Sequence, residues 1–535
     1  MNEGMPRRRS REDPPVLSTE HLKEGLKKRA LVGAGFSVFA QTFNYGIQTV
    51  GTIVLARILT PEDFGLVSMA ATFSLLVQNY GVNGFREAII QREDLTEEQL
   101  KKLFWVNLSI MVGLTLFFVV IAPVIAWFFG EASVKSISRG MALSILFSGL
   151  GTCHLALLSR KMKFNLFAAA QVLAALISTG LAIGLALEGL GVWSLVLRWV
   201  SFPLATTVFA WLFCRWKPGI PAKGTSIREI LIFGNKTYGH FVLTYIRNNL
   251  DKILVGKTFG KSMLGHYDRS SQLSSVLPNQ LTIALSGVGI ATLSRLVNDP
   301  PRYRSYVFKA VSILSFIGFP GSVLFTLLGK DVILVLLGDR WSIAGDIFAA
   351  LGPGIGAFVI FNVNVWLHIS LGRADRLLRW GFVVLGASVV SYSLGLLFGP
   401  VGVAVAYSAM FYLLLIPALA YAGKPAGLSS SFFVGVLWRY WTAAFVSGAS
   451  YWLIFYRFAP AARFYEGLSP LLRIGFGSLC YPVFYLVFIV ILFGGWQPLV
   501  MVASLIKETL SRRVPQDSMR ANKISPPSAG DDPRG

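Results

Sequence analysis

Leu55-Ala-Arg-Ile-Leu-Thr-Pro-Glu-Asp-Phe-Gly65 stands between two apolar runs, and Leu254-Val-Gly-Lys-Thr-Phe-Gly-Lys-Ser-Met-Leu-Gly265 takes the same place about 200 residues later. In the first copy Thr60, Pro61, Glu62 and Asp63 spell a turn followed by a helix start. Proline there has no N–H to lose, and acids suit the positive end of the helix. The turn joins an apolar helix at about 31–56 to a second at about 64–82. Reuse of such a unit predicts a membrane protein built from an internal repeat.

Composition agrees with that reading. Hydrophobic residues make up 54% of the 535-residue chain and charged residues only 14%, a balance suited to lipid rather than water. Apolar runs of the roughly 20 residues needed to cross a bilayer recur along almost the whole length, about fourteen in number. The formal charge of +22 lies in tails and short loops rather than on one compact face, which argues against a nucleic-acid partner. Lys and Arg are about twice as frequent in one set of alternating loops, the set holding Arg160, Lys161, Lys163, Arg215, Lys217, Arg302, Arg304, Arg373, Arg376 and Arg379. That set is expected in the cytoplasm together with both termini. Cys153, Cys214 and Cys480 have no metal-ligand spacing.

The expected fold is an all-α polytopic membrane protein of about 14 transmembrane helices. A basic tail (1–30) precedes a six-helix lobe (31–214), and a Pro- and Gly-containing cytoplasmic linker (215–229) leads to a second six-helix lobe (230–422). Two extra helices (423–495) and a polar tail (496–535) complete the chain. The repeat is marked by Gly65 and Gly265, by Phe129-Gly-Glu131 and Leu337-Gly-Asp339, by Arg160 and Arg373, and by Gly189-Leu-Gly-Val192 and Pro400-Val-Gly-Val403. Six crossings return the chain to its starting side, so the halves are parallel.

Polar groups inside apolar runs are the informative residues, because an Arg or Asp at a helix centre costs about 2.5–3.5 kcal/mol on insertion scales. Gln41, Asn44 and Gln48 share one face of the first helix. His240, Thr244, Arg247 and Asp251 share a face of the seventh, with Asn248 beside it. Arg247 and Asp251 suit an i, i+4 ion pair as well as a cavity wall. The eighth helix carries Asp268, Arg269, Gln272, Asn279 and Gln280, and the second carries Gln78, Asn79, Asn83 and Arg86. Arg86 fits an interface anchor equally well. If helices 1, 2, 7 and 8 meet, they enclose a wet cavity with amides for hydroxyls and arginines for anions. His154, Asn364 and His368 suit interhelical hydrogen bonds as well as ligand contact, and Glu188 and Arg198 are expected to snorkel. Gly256-Lys-Thr-Phe-Gly-Lys-Ser262 is one residue short of a phosphate loop. No hydrolase or metalloprotease motif occurs, and neither a catalytic residue nor a cofactor is expected.

Leu55 to Gly65, Gly81-Val-Asn-Gly-Phe-Arg-Glu-Ala-Ile-Ile-Gln91, Gly189-Leu-Gly-Val-Trp193 and Gly399-Pro-Val-Gly-Val403 together resemble the polysaccharide transport family of lipopolysaccharide and exopolysaccharide flippases, the colanic acid exporter branch in particular. That family belongs to the multidrug/oligosaccharidyl-lipid/polysaccharide exporter superfamily. The resemblance implies two six-helix bundles in a V with two added helices, in the bacterial inner membrane. It also implies an undecaprenyl-diphosphate-linked sugar repeat unit as cargo, alternating access between leaflets, and a polymerase and chain-length regulator as partners. In that setting Arg247, Arg269 and Arg86 are the expected diphosphate or acidic-sugar contacts. Gln41, Asn44, Gln48, Asn248 and Gln272 are the expected sugar contacts, with Asp251 in the same wall. A cationic drug exporter would share the architecture but needs acids in excess, and a membrane glycan polymerase would need a large outer loop.

Overall fold

The computed structural model describes residues 26–81, 85–92, 95–222, 225–501 and 504. The tail residues 1–25 and 505–535 and Asn83 lie outside the described residues, as do the side chains of Lys27, Lys28, Arg29 and His240. Helices and turns account for the structure, and no strand occurs among the described residues.

The first half comprises α1 (Leu26–Ile58), α2 (Pro61–Gly81), the short α3 (Glu87–Gln91), α4 (Glu97–Phe129), α5 (Ser133–Arg160), α6 (Phe164–Leu187) and α7 (Val192–Cys214). The second comprises α8 (Arg228–Leu296), α9 (Pro300–Leu337), α10 (Ser342–Phe361), α11 (Val363–Ser370), α12 (Ala374–Leu396) and α13 (Gly399–Gly423). After these come α14 (Ser430–Trp452), α15 (Ala459–Glu466) and α16 (Pro470–Phe493). The protein is a multi-pass membrane protein. Ten helical stretches among the described residues are long and apolar enough to cross a bilayer. The sequence expectation is higher for identifiable reasons. α8 is two helices joined through Gly260, whose φ of 78° and ψ of −173° break the helix in a conformation open to glycine alone. α1, α2 and α14 have spanning length but carry more polar residues, such as Gln78 and Asn79 at the end of α2.

Local signals act where expected. Thr60 and Asp63 cap α2 reciprocally, with the Thr60 amide donating to Asp63 Oδ2 (3.0 Å) and the Asp63 amide to Thr60 Oγ1 (3.3 Å). Thr96 and Gln99 form a capping box at the start of α4. Nothing after that cap interrupts the helix, and α4 runs unbroken to Phe129. The fourth helix of the second half is instead divided at Asn362, whose amide nitrogen donates to the Phe358 carbonyl (2.8 Å).

The two halves meet most closely at the turn ends of α1 and α2. Gly65 and Gly265 face each other across α2 and α8: a Cβ on Gly65 would collide with the Lys261 carbonyl, and one on Gly265 with the Pro61 carbonyl. Each carbonyl belongs to the residue four before the opposite glycine, so the contact is reciprocal. The flanking cations are exchanged in the same way. Arg57 donates to the Leu336 carbonyl (3.1 Å) and the Val335 carbonyl at the end of α9, and Lys257 donates to the Phe128 carbonyl (2.5 Å) at the end of α4. Each therefore satisfies carbonyls that a helix C-terminus leaves unpaired, and meets the negative end of its dipole. Trp341 is fully buried beside them and donates to the Ala56 carbonyl (2.9 Å).

Along the rest of α2, tyrosines join it to the first segment of α8. Tyr245 donates to the Thr72 carbonyl (2.8 Å), Tyr238 to the Leu76 carbonyl (2.7 Å), and Tyr80 to Asn235 Oδ1 (2.6 Å). The linker is strapped to the first lobe. Glu98 accepts from the Ala222 amide (2.8 Å), Trp105 donates to the Gly219 carbonyl (3.0 Å), and Gln99 donates to the Ser226 carbonyl (3.3 Å). The two final long helices pack on α9, where Tyr485 donates to the Phe316 carbonyl (3.2 Å) and Tyr456 to the Leu327 carbonyl (3.3 Å).

Candidate functional site

A cavity of about 460 Å³ opens between α1, α2, α6, α7 and both segments of α8. Its charged lining residues among those described are Arg198, Lys252, Asp268 and Arg269. Arg198 lies six residues after the start of α7, Lys252 eight before the Gly260 break, and Arg269 nine after it. At 1.5 Å per residue all three sit roughly 9–14 Å from the same membrane-facing end. They form a level, not a column.

The partners of these groups differ. Asp268 is buried, and its two carboxylate oxygens take different cations: Lys252 Nζ at 2.7 Å from Oδ1, and Arg269 Nη2 on Oδ2. The Arg269 guanidinium also lies over the Phe64 ring, 4.8 Å from its centroid, a cation–π contact that favours a charge removed from water. Its Nε is buried without a hydrogen-bond partner. Arg198 donates to Thr52 Oγ1 (3.1 Å) and to the Gln48 carbonyl (3.0 Å), both neutral. Around the charges stand Gln48, Gln78, Asn249 and Gln272, with the aromatic faces of Tyr45, Phe64, Trp199 and Phe202. Three cations against one carboxylate leave the lining with a surplus of two positive charges. Such a wall, with amides and aromatic rings beside it, suits a dianion carrying hydroxyl groups.

Of the polar groups read from the helix faces in the sequence, Gln48, Gln78, Asp268, Arg269 and Gln272 line this cavity. Asn44 accepts from the Gln48 amide (3.2 Å), one turn away from the lining, and Gln41 is exposed further along the same stripe. Arg86 stacks on the Phe167 ring of α6, 4.8 Å from its centroid and outside the lining. On the first segment of α8 the face turned to the cavity and α2 carries Tyr245, Asn249 and Lys252. Arg247 and Asp251 are displaced from it by about 200°, the angle of two residues. Arg247 bonds Asn248 Oδ1 (3.3 Å), and the buried Asp251 accepts from the Tyr267 hydroxyl (2.9 Å) and the Lys252 amide (2.9 Å) rather than pairing with Arg247.

Lys252 and Arg198 are the charged lining residues that sequence reading did not place in the cavity. Lys252 carried a signal, since it stands three residues after Asn249 on a polar helix face. Arg198 does not snorkel: its guanidinium turns inward to α1, where the Gln48 carbonyl accepts from it and from the Thr52 hydroxyl (2.7 Å). The buried His154 and His368 have other surroundings. His154 stacks on Trp211 (4.3 Å between centroids) and contacts the Trp216 carbonyl (3.1 Å), while His368 packs edge-on to Tyr421 (5.8 Å). Neither lines the cavity.

Comparison with known proteins finds similar sequences and a similar fold. Succinoglycan biosynthesis transport protein ExoT of Rhizobium meliloti (strain 1021) is 24% identical over 390 residues, covering 73% of this chain and 78% of its own. Lipopolysaccharide biosynthesis protein WzxC of Escherichia coli (strain K12) is 20% identical, covering 70% and 78%. Among solved structures, the lipid II flippase MurJ in an inward closed conformation superposes with a TM-score of 0.66 at 16% identity, covering 87% of this chain and 99% of its own. The polysaccharide biosynthesis protein family model matches residues 54–346, a span that includes the turn, the linker and every charged residue of the cavity, and the chain belongs to that family.

Proposed function

We propose that this protein is a flippase that carries a polyprenyl-diphosphate-linked oligosaccharide from the cytoplasmic to the outer leaflet for surface polysaccharide assembly. One observation carries the reading: a surplus of two positive charges, from Arg198, Lys252, Arg269 and Asp268, gathered in one cavity among the apolar helices. A diphosphate diester bears two negative charges near neutral pH, so the headgroup neutralises the lining. The sugars then meet the amides of Gln48, Gln78, Asn249 and Gln272 and the rings of Tyr45 and Trp199. The lipid tail stays in the bilayer. The names of the relatives, a succinoglycan transport protein and a lipopolysaccharide biosynthesis protein, support a glycan cargo.

In this reading the linker end, rich in Lys and Arg, is cytoplasmic, both termini lie inside, and the membrane is the bacterial inner membrane. The lobes are 31–214 and 230–422, and the reciprocal Gly65–Gly265 contact closes the outer end. Alternating access then consists of parting that contact while the cytoplasmic end closes. A polymerase and a chain-length regulator act on the delivered units. A cationic drug exporter is disfavoured by the same surplus charge, which repels its cargo.

The test is depletion of the protein in its native host, followed by extraction of membrane lipids and assignment of their leaflet. The expected result is a complete polyprenyl-diphosphate oligosaccharide trapped on the cytoplasmic leaflet, cleared by wild type and not by Lys252→Gln or Arg269→Gln at equal protein level. Absence of such a lipid, with new sensitivity to cationic dyes, would overturn the proposal in favour of drug export.

A further inference from the structure

We propose that Asp268 is an internal stand-in for the cargo phosphate, holding Lys252 and Arg269 while the cavity is empty and reclaiming them to release the cargo. This rests on the flippase reading and adds a release step to it. The geometry that points there is the bridging carboxylate, with one oxygen on Lys252 (2.7 Å) and the other on Arg269. A phosphate offers the same pair of oxygens to the same pair of cations. The two cations come from opposite sides of the Gly260 break, so without an anion between them they repel across the bend in α8.

The site is divided accordingly. Arg198 is held only by neutral oxygens, Thr52 Oγ1 and the Gln48 carbonyl, so it meets an arriving headgroup without any ion pair being broken. Arg269 keeps a buried Nε with no partner, a donor available to a second acceptor while its Nη2 remains on Asp268. Lys252 is the group that must change hands. Asp268 carries one charge and the headgroup two, so the cargo displaces it; because the carboxylate stays within reach, the displacement is reversible. A site with Lys252, Arg269 and Arg198 alone would bind a diphosphate tightly and let it go slowly. Asp268 is thus a positioning residue that lowers affinity to raise turnover.

The experiment uses the purified full-length chain in detergent micelles and calorimetric titration with farnesyl diphosphate, with farnesol as the uncharged control. Asp268→Asn is expected to bind about tenfold more tightly than wild type, within the usual range of coupling between competing interactions. Its surface glycan output in cells is expected to fall several-fold. A merely structural Asp268 gives the opposite sign in binding, since loss of the bridge scatters the cations. Unchanged or weaker binding by Asp268→Asn overturns the proposal while leaving the flippase reading intact, provided Lys252→Gln and Arg269→Gln bind more weakly than wild type. If those two variants bind as wild type does, the cationic site itself fails. Should Asp268→Asn not fold, Lys252→Gln/Asp268→Asn conserves the net charge of the lining; it is expected to bind more tightly than Lys252→Gln alone, because Arg269 is freed, and equal binding by the two overturns the proposal.

Discussion

Arg198 and Arg247 are both half-buried arginines on apolar helices, yet their surroundings assign them different work. Arg198 donates into the cavity wall, whereas Arg247 bonds its neighbour Asn248 and stands about 200° from the cavity-facing row of Tyr245, Asn249 and Lys252. Charge-assisted hydrogen bonds are worth about 1.5–3 kcal/mol each. Arg198→Gln is therefore expected to lower glycan export by at least about tenfold, and Arg247→Gln by less than about twofold, with surface polysaccharide measured against immunoblotted protein. Equal losses would show that arginine acts here through packing rather than through the cavity. At this scale the sequence was half legible. Periodicity identifies a polar face, and Gln48, Arg269 and Gln272, each read from such a face of α1 or the second segment of α8, line the cavity. The first segment of α8 has two, 240/244/247/251 and 245/249/252, and only the tyrosine ladder onto α2 decides which one looks at the cavity. A long-range contact of that kind leaves no trace in spacing.

Among the elements, the crossing of α2 over α8 is the tightest. An added methyl at Gly65 has nowhere to go, since the obstacle is the backbone carbonyl of Lys261 rather than a movable side chain. Overpacking of this sort costs about 1–3 kcal/mol. Gly65→Ala is expected to lower the melting temperature of the purified protein by several degrees, whereas Gly46→Ala, with open space around the site, leaves it unchanged. No difference between the two would mean that the crossing already fluctuates apart. The equivalence of Gly65 and Gly265 in the repeat could be read from the turn and its weaker copy, and so could the helix start at Thr60, but not the contact between the two glycines. The unbroken α4 and the division at Asn362 could not, because both depend on whether neighbouring helices supply partners for a frayed turn.

For the whole molecule, the reciprocal contact defines which end is shut. Glu62 Oε2 and Lys261 Nζ lie 3.8 Å apart across it. Glu62→Cys/Lys261→Cys, oxidised in membranes, is expected to abolish glycan export, and a reductant to restore it; export unaffected by a demonstrated cross-link would mean that cargo passes without the lobes parting there. Between the halves, Glu98, Gln99 and Trp105 hold Ala222, Ser226 and Gly219 against α4. The exchange of caps has one more consequence. Arg57 reaches the end of α9 while Lys257 reaches the end of α4, and Gly65 meets Gly265 by the same rule. These are the contacts of an isologous interface, in which two subunits of a homodimer present one patch to each other about a two-fold axis. Folded into a single chain, the two copies are free to diverge on every surface except that one, and the covalent connection serves as a tether that keeps the pair at high effective concentration.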